Sequence, residues 1–537
     1  MRQRIAVRCQ YLQRLMCVLL MSVSMSNNTI AQTNTSKPNL LSFCSLHRQE
    51  RVVSDLWHET GEALADIASN AAQDPKSLYN LQTYTNNLLL YSFESQNFEL
   101  SDSLLNLYLT TLKSIVRTNE YAFQYFPQPN VRRTRVELSS EIGLWLQTPA
   151  TNGLRHEDVL SSSQFIFLIS NAFQLISEIV PDNRTRAMQE FLTKFTPVLK
   201  SHLRRWVLGS STKEFNSVGP FQRRAWGCKH PSGSKQSGLT HIELIDAITA
   251  NEMNTTAVKT LCNATTDTDL WVIAAVANLL YTQHSDENVL MLDHEIRDSY
   301  KDYLQKSGEL LKSKTAISAT KDFSGDVRDW VNFDAGSWDS TDSYSNTGCT
   351  NENFETVFET KADSSCATTN DSAWDIGHAS RFVHVFDSLM KTADTFDLPF
   401  PDDGILRGFS NAFAYRVFNG DLEKPLFNNF MDGSNGWYRV GYSGQKGFGI
   451  GPFNLSSLAL TGGYARWTIY NPDIELIYES LLAMLENKSS ASADHVDKYY
   501  NHTHWRNFRK FKQYDFLGDT DLATNLALMQ FYPALCR

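Results

Sequence analysis

Apolar residues recur at helical spacing along nearly the whole chain. Val52, Leu56, Ala63 and Ile67 fall on roughly one face over residues 48–70, the i, i+3/i+4, i+7 recurrence of a helix with one buried stripe. Leu100, Leu104, Leu107, Leu109 and Leu112 repeat the pattern over 98–117, and Phe165, Phe167, Ile169, Phe173, Leu175 and Ile179 over 160–180. The same reading predicts helices at 76–93, 184–208, 239–250, 269–283, 295–314, 372–392, 403–418, 455–470, 473–486 and 520–530, about thirteen in all. Ser372 and Asp375 have the S-x-x-D spacing of a capping box, in which each side chain satisfies an otherwise orphaned backbone amide. Asn471-Pro472 separates two helices, because the residue before proline is pushed out of helical geometry. Period-2 alternation is scarce; Trp437–Tyr442 and Phe448–Phe453 are the best candidate strands.

Two long stretches interrupt the helices, 209–238 and 321–371. Both carry aromatics, which disordered segments lack, so they read as ordered loops. Long loops in compact domains are uncommon and often functional; packing for stability alone is the other reading. The fold class is all-α. Successive helices joined by moderate loops, with no fixed repeat period, favour a closed ring of helical hairpins. The pattern resembles the (α/α) toroid shared by many secreted carbohydrate-active proteins of polysaccharide lyase and glycoside hydrolase type. That resemblance implies a complete or incomplete toroid over residues 48–537, one large domain whose long aromatic-rich loops sit at one end. Carbohydrate processing is the commonest use of such a ring.

Composition narrows the class. The chain has 537 residues, 42% hydrophobic, 12% aromatic and 20% charged, a globular balance. Its formal net charge is −10, so the whole-chain basic footprint of a nucleic-acid binder is absent. Arg2, Arg4, Arg8 and Arg14 precede a short apolar core, Leu15–Met25, and Thr29-Ile30-Ala31 resembles a small-residue cleavage site. These are the parts of a secretory signal over 1–31, followed by a linker at 32–47. The apolar core is about half the roughly 20 residues of a spanning helix; an uncleaved anchor is the alternative, and no later run predicts a transmembrane helix. Cleavage removes four arginines and no acid, leaving 45 basic against 59 acidic side chains, a net −14. The expectation is a secreted or periplasmic protein.

Six cysteines remain after the signal: Cys44, Cys228, Cys262, Cys349, Cys366 and Cys536. An even number in an exported chain suggests up to three disulfides. Pairing neighbours gives Cys228–Cys262 and Cys349–Cys366, with Cys44–Cys536 closing the termini; free buried thiols are the alternative.

Three residue groups can carry chemistry. The first is Trp374-Asp375-Ile376-Gly377-His378-Ala379-Ser380-Arg381. On a helix, Asp375 and His378 lie one turn apart on one face, with Arg381 a turn further on. Such a stripe can hold an anionic sugar and move a proton, since histidine is a base of near-neutral pKa. Gly377 and Ala379 leave room for a ligand. Asp375 as a mere helix cap and His378 as a core histidine are the bland readings. The second group runs from Asp432 through Asn435, Trp437, Tyr438 and Arg439 to Tyr442. Trp437 offers a sugar-stacking face, and the others offer hydrogen bonds and charge. The glycines here lack the spacing of a phosphate loop. The third is the acidic, aromatic run Asp326, Asp329, Trp330, Asp334, Trp338, Asp339 and Asp342. Its carboxylates can flank a glycosidic bond, hold Ca²⁺ through hard oxygen ligands, or simply be solvated. Arg223 and Arg224 make a small basic spot.

HExxH and GxSxG are both missing, which argues against a zincin protease and an α/β-hydrolase esterase. No resident metal or cofactor is expected, Ca²⁺ apart. The favoured activity is a polysaccharide lyase acting on a uronic-acid glycan. His378, Tyr438 or Tyr442 then removes the proton, and Arg381, Arg439 or Asn435 neutralises the sugar carboxylate. Asp432, Trp374, Trp437, Trp338, Arg223 and Arg224 complete the substrate contacts. A glycoside hydrolase pairing Asp375 with Asp432, Asp334 or Asp339 is the first alternative, and a non-catalytic glycan-binding or envelope-associated protein the second.

Overall fold

Several buried helices start at a side chain that satisfies their first amides. Asp158 caps helix α4 (Val159–Ser177) by accepting from Leu160 N and Ser161 N at 3.1 and 3.4 Å. Burial pushes its carboxyl up to about 6. Thr266 and Asp269 form a capping box at α7 (Asp267–Ser285), and Thr240 and Glu243 another at α6 (His241–Thr249). These reciprocal bonds fix where helices begin.

The computed structural model describes residues 46–72, 74, 76–124, 134–147, 155–209, 221, 228–229, 239–252, 254–255, 261–334, 345–347, 359–361, 373–439, 448–487, 489–500 and 520–535. All lie within one compact unit, Asn39–Arg537. The signal, most of the linker, Arg223, Arg224, Trp338, Asp339, Asp342, Tyr442, Cys44, Cys349, Cys366 and Cys536 fall outside the described residues.

The chain is mostly helical, as the all-α class requires. The remaining helices are α1 (Leu46–Ser69), α2 (Lys76–Glu94), α3 (Phe98–Thr110), α5 (Arg186–Val207), α8 (Glu287–Leu290), α9 (His294–Ser313), α10 (Ile376–Phe396), α11 (Asp403–Ala412), α12 (Ser457–Thr461), α13 (Asp473–Glu486), α14 (Ser490–Tyr499) and α15 (Thr520–Leu535). Helix α2 packs on α4, α4 on α7, α7 on α10, α10 on α12, α12 on α15, and α15 back on α2. Helices α3, α5 and α9 pack against this set, α3 on α2, α5 on α4 and α9 on α7. Only α4, among the described residues, is long and apolar enough to cross a membrane, and it is buried among its neighbours.

Several expectations shift at their edges. The helix expected over 98–117 stops at Thr110, and β1 (Ile115–Gln124) begins after one 3₁₀ turn. Ile115, Val116 and Thr118 are β-branched and favour the strand. Strand β1 pairs antiparallel with β2 (Thr134–Trp145) and parallel with β3 (His156–Asp158), in the order β2-β1-β3. The 455–470 segment divides at Gly462-Gly463 into α12 and a 3₁₀ run, Tyr464–Ile469. Helix α10 begins four residues later than expected, and Asp375 itself is its cap. The 321–371 loop contributes β7 (Val327–Phe333), which pairs with β6 (Thr315–Lys321) in a hairpin. Asp322 ties that turn by accepting from Ser324 N and Asp326 N, both at 2.9 Å.

Cys228 and Cys262 are disulfide-bonded, with Cα atoms 5.5 Å apart. They sit beside the short pair β4 (Cys228–Lys229) and β5 (Asn254–Thr255). A charged network is buried where β1 and β3 meet α5. Arg205 grips Glu157 through two bonds of 2.8 Å and also donates to the Tyr121 hydroxyl at 3.1 Å. That fork geometry lets both charges be buried.

Candidate functional site

The site is built where the start of α10 meets the segment 427–439. The two are stitched by Ile376 N donating to Asn429 O and Met431 N donating to Trp374 O, both at 2.9 Å. Asn429 is the hub of this segment. Its amide donates to Gly436 O at 2.8 Å and Gly451 O at 2.9 Å, and its oxygen accepts from Leu455 N at 3.2 Å. Asn435 plays the matching part, its Oδ1 accepting from Gly436 N, Phe453 N and Asn429 N. These bonds hold β10 (Gly436–Tyr438) in a four-stranded sheet, order β8-β10-β11-β9, with β8 (Ser345–Thr347), β9 (Glu359–Lys361) and β11 (Phe448–Ile450). Both expected strands, near 437 and 448, therefore exist in part.

Gly433 allows the turn into this strand. Its φ is +84°, and a Cβ there would lie 2.7 Å from Arg416 O. Gly433→Ala is expected to lower the unfolding free energy by about 1–3 kcal/mol, read as a lower urea midpoint at unchanged slope.

Four side chains converge at the start of α10. Asp375 is buried; Oδ1 accepts from Gly377 N at 3.0 Å and His378 N at 3.1 Å, and Oδ2 lies 2.7 Å from His378 Nδ1. The tyrosine oxygen of Tyr438 is 3.1 Å from the same ring nitrogen. Arg439 Nη2 is 3.3 Å from His378 Nε2, and its guanidinium lies 5.2 Å from the Tyr438 ring centroid. Burial pushes the Asp375 carboxyl upward. The facing His378, the hydrogen bonds it receives and the Arg439 charge outweigh that and hold it well below the usual carboxylate range. An ionised carboxylate only accepts, so the imidazole proton sits on Nδ1 and the lone pair on Nε2. The His378 side chain keeps 16% of its surface exposed. The cap and the imidazole partner are thus one residue.

Other expected members stand apart from this cluster. Arg381 donates to Gly377 O at 2.7 Å and to the Tyr79 hydroxyl at 2.8 Å, and lies 3.9 Å from Asp267. It therefore braces α10 against α2 and α7. Trp374 and Trp437 are buried and present no open face for a sugar ring. Asn435 is likewise buried and spends its oxygen on backbone amides. The room expected at Gly377 is filled: a Cβ there would meet Leu458 Cδ1 at 2.5 Å. Asp432 holds its own turn by accepting from Ser434 N and Oγ at 2.8 and 2.6 Å. Asp326, Asp329 and Asp334 are exposed on or just beyond the β6–β7 hairpin. Among the described residues, no three His, Cys, Asp or Glu side chains are grouped to hold a metal ion.

Tyr79 and Asp267, the partners of Arg381, carry no sequence signal beyond lying on apolar-patterned helices. The same holds for Glu94 and Arg466, an ion pair of 2.5 Å between α2 and the 3₁₀ run. No family model, curated protein or solved structure matches the chain.

Proposed function

We propose that this protein is an exported carbohydrate-active enzyme on an (α/α) toroid, a polysaccharide lyase that cleaves a uronic-acid-containing glycan. The cyclic order of neighbours α2, α4, α7, α10, α12 and α15 supports the ring. The signal-like residues 1–31 support export. The observation that carries the activity is the convergence of Asp375, His378, Tyr438 and Arg439, from segments 60 residues apart, around one partly exposed imidazole.

The chemistry follows from the parts. Arg439 pairs with the sugar carboxylate and offsets the charge that develops as the adjacent carbon loses its proton. The Nε2 lone pair of His378 takes that proton, with Asp375 stabilising the imidazolium. Tyr438 donates its hydroxyl proton to the departing glycosidic oxygen. The C–O bond breaks as a C=C bond forms, and no water is consumed. The imidazolium lies against the Tyr438 oxygen, a route for returning the proton.

A hydrolase using Asp375 as its acid fits less well. A general acid needs a raised pKa, whereas this carboxyl is depressed and both its oxygens are engaged. The deciding experiment incubates the protein with panels of acidic and neutral polysaccharides. Near-ultraviolet absorption from an unsaturated sugar, given by acidic polymers alone, is the expected result. Reducing ends without that absorption point to a hydrolase, and neither signal to a binding protein.

A further inference from the structure

This inference rests on the reading of His378 as the base. The lone pair on Nε2 does not face open solvent alone: Arg439 Nη2 donates toward it across 3.3 Å. A base whose lone pair already accepts a hydrogen bond must shed that donor before it can take a proton from carbon. We propose that Arg439 is a substrate-released cap on His378, so that a carboxylate entering the site draws the guanidinium off Nε2 and bares the base.

Three observations carry this. The 3.3 Å contact is long for an N–H donor bond, and its acceptor is neutral. A carboxylate offers the guanidinium two parallel charge-assisted bonds, each about twice as strong as a neutral one. A carboxylate is therefore the stronger partner than the His378 lone pair.

The backbone supports the same reading. Arg439 has φ +56°, a left-handed conformation at the end of β10 where a non-glycine residue is unusual. Strained residues of this kind gather at ligand clamps and switches.

The Tyr438 ring, 5.2 Å from the guanidinium carbon, provides a cation–π surface beside the new position. The exchange leaves the 2.7 Å contact of Asp375 with Nδ1 in place, so the tautomer is kept while the lone pair is freed. Acidic sugars then gain in turnover as well as affinity, because a neutral sugar leaves the base covered. The substrate class and the readiness of the base become one property of Arg439.

The test follows the imidazole directly. The full chain is labelled with ¹⁵N-histidine, and the His378 signals are identified by their loss in His378→Gln. Spectra are compared for wild type, Arg439→Gln and Arg439→Lys, each alone, with sodium glucuronate, and with glucose at matched ionic strength. In Arg439→Gln without ligand, the Nε2 signal is expected to move toward that of an unbonded acceptor while Nδ1 stays. Glucuronate produces the same movement in wild type, and glucose produces none. Glucuronate adds nothing in Arg439→Gln. Arg439→Lys, which keeps the charge, guards against a glutamine variant that fails to fold.

An Nε2 signal indifferent to both substitutions removes the cap. An Nε2 signal that responds to the substitutions but not to glucuronate removes its release by carboxylates. Neither readout uses turnover. A failed polysaccharide assay with the expected spectra overturns the lyase activity and leaves the cap standing.

Discussion

Asp375→Asn is expected to leave the fold standing and to cost about 10²–10⁴-fold in turnover. Two jobs of one side chain come apart in this substitution. Asparagine is as good a helix cap as aspartate, so Gly377 and His378 keep an acceptor and α10 keeps its start. The amide no longer presents an anion to Nδ1. It can instead donate there, which moves the imidazole proton to Nε2 and removes the lone pair that the proposed lyase uses as its base. Asp375→Ala loses the cap as well and is expected to cost about 1 kcal/mol of stability on top. Measuring turnover together with thermal midpoint separates the effects. An asparagine variant that keeps turnover within threefold of wild type would end the role given to the Asp375–His378 pair.

The second large effect is acid instability that begins near neutrality. His202 is fully buried; burial and the Arg205 charge, against the pull of Glu157, push its pKa down to about 4. His384 is half-buried between charges on two elements. Burial, then Arg466 and Arg381, outweigh Asp387 and lower it to about 3. Unfolded histidine takes its proton near 6.5, while the folded protein refuses it until pH 4 or below. The unfolded state therefore binds more protons in between, and stability rises with pH.

The contribution is complete above about pH 6.5 and is lost as pH falls toward 4, on the order of 3 kcal/mol for each histidine. Asp158 acts in the opposite sense. Its raised carboxyl costs stability above about 6 and returns it as pH falls toward the ordinary carboxylate value. For these three groups the expected sum is a net loss on the order of 3 kcal/mol between pH 6.5 and 4. Urea unfolding at pH 7, 6, 5 and 4 measures it, and His384→Gln should flatten the slope by about one proton. Stability that stays level from pH 7 to 5 would contradict the assignment.

Why the helices were readable is plain from their faces. Leu100, Leu104 and Leu107 all enter the core, so spacing alone reveals α3. The β6–β7 hairpin escapes because its first strand, Thr315–Lys321, lies mostly in solvent and has no apolar alternation to betray it. The dyad of Asp375 and His378 was legible because i and i+3 share a helix face. The meeting of His378 with Tyr438 and Arg439 was expected of an enzyme, but no spacing in the sequence shows it, because it depends on how Asn429 and Asn435 fold a distant segment back. Trp437 was misjudged for a related reason. Successive strand residues point to opposite faces, so Trp437 and Tyr438 cannot both line one site; both rings are buried, and Tyr438 is the one whose hydroxyl reaches His378.

Helix α15 sits against both α1 and α2. Gln49 and Asn87 donate to its Tyr532 and Gln530 carbonyls at 2.9 and 2.8 Å. Helix α15 thus covers helices that precede it by more than 440 positions. Until α15 is made, the faces of α1 and α2 that it covers lack that partner, and contacts across more than 440 positions are slow to form. Nascent chains of this protein should stay exposed to chaperones until α15 has been made, and a stop codon before residue 520 should yield aggregate in place of a shorter folded product.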